Sequence, residues 1–131
     1  MSRKTTTLYI LDAGINMGET ISISDHDIPC RKFDIAISTV IFHMTHKISS
    51  SKVFEAGLCL FGRGKTDNSI STDTTYQNVE EFLSIGRTTL AQMKEINSIQ
   101  IGESSGDLID GLVVGINQLK NHQAGKSMNR G

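Results

Sequence analysis

Gly64-Lys65-Thr66 comes directly after a short apolar run, Leu58-Cys59-Leu60-Phe61, and resembles in residue type the end of a phosphate-binding loop, where glycine amides and a lysine cradle an anion. That chemistry needs glycine five residues before Gly64, where Cys59 stands, and a helix whose amino terminus opens at the Lys-Thr pair. The next residues, Asp67-Asn68-Ser69-Ile70-Ser71-Thr72-Asp73, are turn-forming and without apolar period, so a glycine-rich exit loop is expected and not a nucleotide site. A small nucleotide hydrolase stays as an alternative, and Lys65→Ala would have to abolish nucleotide binding for it to hold. Asp25-His26-Asp27 offers three metal-ligand types, but chain neighbours reach one ion only with ligands from elsewhere; a loop is expected, with Asp27 capping a helix and Pro29 in its first turn. His43 and His46 fall on one side of a helix with no further ligands nearby and read as a solvated pair. Cys30 and Cys59 have neither metal-site spacing nor a disulfide framework count, and read as reduced thiols with Cys59 in the core. No nucleophile and base, closed metal site or complete phosphate loop emerges, so the expectation is a non-catalytic domain without a cofactor.

The elements that must position these residues are set by pattern and length. The chain of 131 residues, 37% hydrophobic, suits one domain with a modest core. A net charge of −1 gives no overall attraction to DNA or anionic membrane. No apolar run approaches the roughly 20 residues that span a bilayer, and Met1-Ser2-Arg3-Lys4-Thr5 leads into a strand too short for a signal-peptide core, so an intracellular protein is expected.

Two apolar runs, Thr7 to Leu11 and Val53 to Phe61, read as strands buried on both faces, the habit of parallel strands. Between them, Arg31 to Lys47 carries many β-branched residues, but Phe33, Ile37, Val40, Met44 and Ile48 stripe one face at helical spacing, with Ala36, Ile41 and Phe42 widening it. Val79 to Ile85 suits a short antiparallel edge strand, with Glu80 and Glu81 discouraging pairing to another chain. Thr88 to Ser98 reads as a helix opened by a Thr89/Gln92 capping box and burying Leu90, Met93 and Ile96. Ser104 and Asp107 have the same capping spacing ahead of a helix striped by Leu108, Leu112, Ile116 and Leu119, in which Gly111 and Gly115 allow close approach to a sheet. Lys120 to Gly131 is basic without apolar period and reads as a solvated tail. Strands alternating with helices give an α/β layer fold, in which ligands meet the loops at the carboxyl ends of the strands.

Three pieces of one stretch are more specific. Ala56-Gly57-Leu58-Cys59-Leu60-Phe61-Gly62, Thr66-Asp67-Asn68 and Tyr76-Gln77-Asn78 together resemble the amino-terminal von Willebrand A-type domain of the large subunit of Ku, the DNA-end-binding heterodimer. The irregular spacing obeys no general structural rule, and the likeness runs from about Leu8 to Gly131. The resemblance implies a doubly wound, mainly parallel sheet with an antiparallel edge strand and flanking helices. In metal-binding von Willebrand A domains the first strand ends in Asp-x-Ser-x-Ser, which holds Mg²⁺ through hard oxygen ligands. Here Asp12-Ala13-Gly14-Ile15-Asn16 replaces both serines, and Asp12, Asn16 and Ser105 are a degenerate remnant of that site. No metal is expected; a Mg²⁺-dependent adhesion-type domain is the alternative, which Mg²⁺ titration would reveal as a saturable site at Asp12.

The resemblance further implies a nuclear, protein-interaction role in double-strand break repair by non-homologous end joining. In the family a groove beside the loop after the Leu-Phe-Gly strand receives short peptide motifs of repair factors, and the matching residues here are Thr66, Asp67, Asn68 and Ile70. The other implied partners are the small Ku subunit and, through the full heterodimer, DNA ends and telomeres; no membrane is implied. A complete domain of this type continues past the last helix with another central strand. Residues 1–131 therefore read as the amino-terminal part of such a domain, with the first strand left unpaired along one edge.

Overall fold

The computed structural model describes residues 5–22, 28–50 and 53–129, with side chains described as far as residue 125. Asp25-His26-Asp27, and the cap expected from Asp27, lie outside these residues. β1 (Thr5–Asp12) runs parallel to β4 (Phe54–Phe61), which pairs antiparallel with β5 (Val79–Arg87), in the order β1-β4-β5. A small antiparallel ribbon, β2 (Thr20–Ile21) with β3 (Cys30–Arg31), precedes α1 (Lys32–Ser50), the crossover between the parallel strands. α2 (Leu90–Asn97) and α3 (Leu108–Asn129) complete the chain order. The α/β layer expected from the pattern forms as a mixed sheet, with one parallel and one antiparallel pairing among its three described strands, so the mainly parallel sheet that the resemblance implies is not what the described residues show.

β4 is apolar from Ala56 to Phe61 because both its faces are covered there. Phe54, Ala56, Leu58 and Leu60 join Phe33, Ile37, Val40 and Met44 of α1 and Ile96 of α2 on one side. Cys59 and Phe61 meet Val79 of β5 and Val114 of α3 on the other. Burial raises the Cys59 thiol to about 12, and the carboxylates of Glu81 and Glu80 act in the same direction, so this cysteine is an inert core residue.

The β-branched run in α1 folds as helix because its apolar stripe, Phe33 to Met44, packs against β4 over about three turns, and packing outweighs local propensity; Ile48 lies beyond this contact and is exposed. Phe42 does not widen that face; it is 74% exposed and stacks on His46. His43 is no solvated group, since its Nδ1 lies 2.6 Å from the Tyr9 hydroxyl of β1, between helix and sheet. Burial raises that hydroxyl to about 12, so Tyr9 stays protonated.

α2 opens with the expected capping box: Thr89 Oγ1 accepts from Gln92 N–H at 3.2 Å and Gln92 Oε1 from Thr89 N–H at 3.0 Å. Leu90 is 70% exposed, so Ile96, with Met93 beside it, fastens this helix. Thr89→Ala is expected to lower global stability by about 1 kcal/mol, read from the urea midpoint.

α3 departs from expectation in three ways. Its cap is Asp107, whose Oδ1 accepts from Ile109 N–H at 2.8 Å, so Asp107 stands just ahead of the first turn. Its buried face is Gly111, Val114, Gly115 and Gln118, while Leu108, Leu112 and Ile116 are exposed. It also continues as helix to Asn129, through the stretch expected to be a tail. Gly111 and Gly115 do set the close approach: a methyl group at 115 would fall 2.6 Å from Ile10 Cδ1, and one at 111 would fall 3.0 Å from Phe61 Cδ1.

Candidate functional site

The carboxyl ends of β1 and β4 are capped by exit loops packed backbone against backbone. Ala13 N–H donates to Phe61 O at 2.8 Å, Gly102 N–H to Ala13 O at 2.8 Å, and Ile15 N–H to Ser104 O at 2.8 Å. Glycine permits this contact. A Cβ on Gly14 would lie 2.8 Å from the Ser104 carbonyl oxygen, one on Gly106 would lie 2.6 Å from Gly62 N, and one on Gly102 would lie 2.4 Å from Arg63 Cα.

This packing explains the degenerate loop after β1. The position at which metal-binding relatives carry a first serine is Gly14, and backbone already fills the space a side chain would use. Asp12 Oδ1 accepts from Gly14 N–H at 2.9 Å and so braces its own turn. Asn16 is exposed in the 3₁₀ turn Ile15–Gly18, where its carbonyl accepts from Glu19 N–H, and Ser105 is exposed on a separate loop. Among the described residues, no three His, Cys, Asp or Glu side chains gather as a metal site.

The loop from Gly62 to Asn78 contains no helix, and Lys65 is exposed in an irregular stretch, so Gly64-Lys65-Thr66 lacks the helix terminus that a nucleotide phosphate requires. The polar residues of the Thr-Asp-Asn and Tyr-Gln-Asn motifs hold the loop to itself. Thr66 Oγ1 accepts from Asn78 N–H at 2.9 Å and donates to Gln77 Oε1 at 3.2 Å. Asn68 Nδ2 donates to Tyr76 O at 3.1 Å and Val79 O at 2.9 Å, while its Oδ1 accepts from Ile70 N–H at 3.2 Å. Asp67 pairs with β5, accepting from Glu81 N–H at 2.7 Å and donating to Val79 O at 3.0 Å. Ile70 and Tyr76 pack against the Cys59, Phe61, Val79 and Val114 cluster. Tyr76 (φ 54) and Asn78 (φ 61) sit in the left-handed region, which is uncommon for a bulky residue such as tyrosine and is held here by the surrounding bonds. Asn117 Nδ2, donating to Ser69 Oγ at 2.9 Å, fastens the loop to α3.

Between the second half of this braced loop and the start of α3 lies an open cleft of about 510 Å³, lined among others by Tyr76, Asn78, Ser105, Asp107 and Asp110. The loop residues named from sequence thus brace the wall, and the cleft lies next to Tyr76. Asp107 and Asp110 are a pair that sequence reasoning assigned to helix capping. Their separation from Tyr76 by some thirty positions hid the grouping, and the visible signal was two carboxylates one helical turn apart. The two carboxylates thus give the cleft an acidic wall, and Leu108 and Ile109, which stand between them in the chain, are exposed.

A loop held by Thr-Asp-Asn and Tyr-Gln-Asn motifs on a partly parallel sheet has a counterpart among known families. The sequence model of the Ku70/Ku80 N-terminal α/β domain matches residues 6–128. The chain belongs to that family. X-ray repair cross-complementing protein 5 of Dictyostelium discoideum is 28% identical over 122 residues, which are 88% of this chain and 14% of that protein. The chain thus spans about one seventh of this relative's length. A membrane-spanning protein of Vibrio fischeri, described as uncharacterized, superposes with a TM-score of 0.69 at 10% identity, over 92% of this chain and 52% of its own, and shows the fold alone. Among the described residues of this Ku-family domain, no helix is long and apolar enough to cross a membrane.

Proposed function

We propose that this chain is the amino-terminal part of the von Willebrand A-like domain of a Ku large subunit, and that it acts as a non-catalytic docking module in double-strand break repair by non-homologous end joining. The cleft between the braced loop and the start of α3 carries the reading. Two carboxylates, Asp107 and Asp110, on a cleft shared with Tyr76, and the exposed apolar Leu108 and Ile109 between them in the chain, suit a short peptide with a basic residue next to apolar ones. Thr66, Asp67, Asn68 and Ile70 serve that site by fixing the loop. The remaining partners are those of the whole subunit: the small Ku subunit in a heterodimer, DNA ends and telomeres bound through that heterodimer, and repair factors carrying the peptide motif, all in the nucleus.

The test is fluorescence polarisation with a labelled synthetic peptide bearing Lys-Arg flanked by leucines, against a control with the basic pair changed to glutamate. Saturable binding of the basic peptide alone is expected, weakened at least about tenfold by Asp107→Asn with Asp110→Asn, since a hydrogen bond to a charged group contributes about 1.5 kcal/mol. Asparagine keeps the capping oxygen at 107, so the helix start survives. Equal affinity for the two peptides, or binding indifferent to the double substitution, would remove this assignment. A saturable Mg²⁺ titration at Asp12 would instead support the adhesion-type alternative.

A further inference from the structure

We infer that a second cleft, between α3 and β5, is a binding site for the guanidinium group of an arginine side chain carried by a partner protein. This cleft of about 470 Å³ is lined among others by Asp67, Glu81, Ile85, Gln118 and His122. It shares no lining residue with the cleft at Asp107 and Asp110, and along α3 the Asn117–Ser69 bond falls between the two. Its walls stand at the β5 end of the strand order, two strands away from β1, so they do not depend on what lies beside β1.

Gln118 is out of keeping with its position. The buried stripe of α3 runs Gly111, Val114, Gly115, Gln118, and a leucine at the last place would serve packing alone. Gln118 is 8% exposed, and its Nε2 donates to Leu83 O at 3.2 Å, where the β4–β5 register shifts on both sides of the Leu58–Leu83 pair and the strand is bulged. The other end of the amide, Oε1, is also buried and has no hydrogen-bond partner among the described residues. A buried carbonyl without a donor costs stability, so this wall of the cleft keeps an acceptor for an entering donor.

Asp67 and Glu81 set the charge of that donor. Asp67 is tied to β5 through its backbone, accepting from Glu81 N–H at 2.7 Å and donating to Val79 O at 3.0 Å. Glu81 Oε2 accepts from Ser69 N–H at 3.2 Å, so both carboxylates are positioned in advance. Among the lining residues His122 alone can carry positive charge, and its Nε2 lies 2.7 Å from Glu55 Oε2. Two carboxylates and an amide oxygen match a guanidinium, which offers five donors in a planar fork and is more weakly hydrated than an ammonium, hence easier to bring against a buried amide. Its methylene stem has Ile85 to lie along. A free amino acid fits less well, since its carboxylate would meet Asp67 and Glu81 while Glu55 engages the one cationic side chain. The guanidinium therefore arrives on a polypeptide.

The test is a heteronuclear NMR titration of the 131-residue chain with N-acetyl-arginine amide, the blocked form that arginine has within a chain. Saturable shifts of the Gln118 side-chain amide and the Glu81 and Ser84 backbone amides are expected. The citrulline analogue, of the same shape without the charge, is expected to bind at least about tenfold more weakly, as is free arginine. Gln118→Leu keeps the packing and removes the carbonyl, and Glu81→Gln keeps an acceptor for Ser69; each is expected to weaken binding about tenfold with distant resonances unmoved. Should Gln118→Leu unfold the chain, Glu81→Gln decides. Asp107→Asn with Asp110→Asn is expected to leave this titration unchanged, which separates its outcome from that of the peptide cleft. No saturable shift at Gln118, equal binding of the lysine or citrulline derivative, indifference to both substitutions, or loss of binding in the Asp107/Asp110 variant would each overturn the inference. Equal affinity for free arginine would overturn its assignment to a partner protein.

Discussion

Gly62→Ala is expected to destabilise the domain by on the order of 3 kcal/mol, read as a fall in the urea midpoint with an unchanged slope. Two independent terms act. Gly62 has φ +94, and a side chain in the left-handed half of the map costs about 1 to 2 kcal/mol. Its new Cβ would also lie 2.8 Å from Gly14 Cα, 2.9 Å from Gly14 N and 3.2 Å from Gly106 N. These are backbone atoms of two other loops, which cannot rotate away as a side chain can, so an overpacking cost of about 1 to 3 kcal/mol is added. Gly86→Ala is the control: nothing lies within 4 Å of its Cβ position, and a change within about 0.5 kcal/mol is expected. A wild-type midpoint for Gly62→Ala would mean that the exit loops do not interlock as described.

That interlock also marks how far the sequence could be read. β1, β4, β5 and α1 were legible because their apolar runs have the length and period that burial demands, and the Thr89/Gln92 box fixed the start of α2. The α3 stripe was legible as a helix but was assigned to the wrong neighbour. Periodicity shows that Leu108, Leu112 and Ile116 share a side; it does not show which side the sheet covers, and here two glycines, Val114 and a glutamine took that place. Leu90 and Phe42 failed for the same reason, since an apolar residue at the margin of a stripe is buried only if a neighbour reaches it. The Thr-Asp-Asn and Tyr-Gln-Asn motifs marked the loop that bounds one side of the cleft, whereas its other side, Asp107 and Asp110 opposite Tyr76, is a tertiary grouping with no local pattern.

Glu80 is the residue whose sequence reading changes most, and Arg63→Ala exposes why. Expected from strand position to be a solvated edge charge, Glu80 is 8% exposed, and its partner is Arg63, Nε to Oε1 at 3.4 Å, with the guanidinium carbon 5.9 Å from the centre of the Phe82 ring. Burial raises the Glu80 carboxyl above its ordinary value, and the charges of Arg63 and Lys65 only partly offset this. Removing Arg63 leaves a buried, unpaired carboxylate, and a loss of about 3 kcal/mol or more is expected at neutral pH. A raised folded-state value means that the native chain holds the proton more tightly than the unfolded one. Stability therefore falls as pH climbs from the unfolded carboxylate value, about 4.3, through the higher folded value. In Arg63→Ala the folded value moves further up, so the penalty should be greatest near neutrality and shrink in acid, where Glu80 is protonated in both states. Adding Glu80→Gln to Arg63→Ala should recover most of the loss at neutral pH and flatten the pH profile. If the single substitution instead costs the same at every pH, the missing stacking on Phe82, and not the stranded charge, is what destabilises the domain.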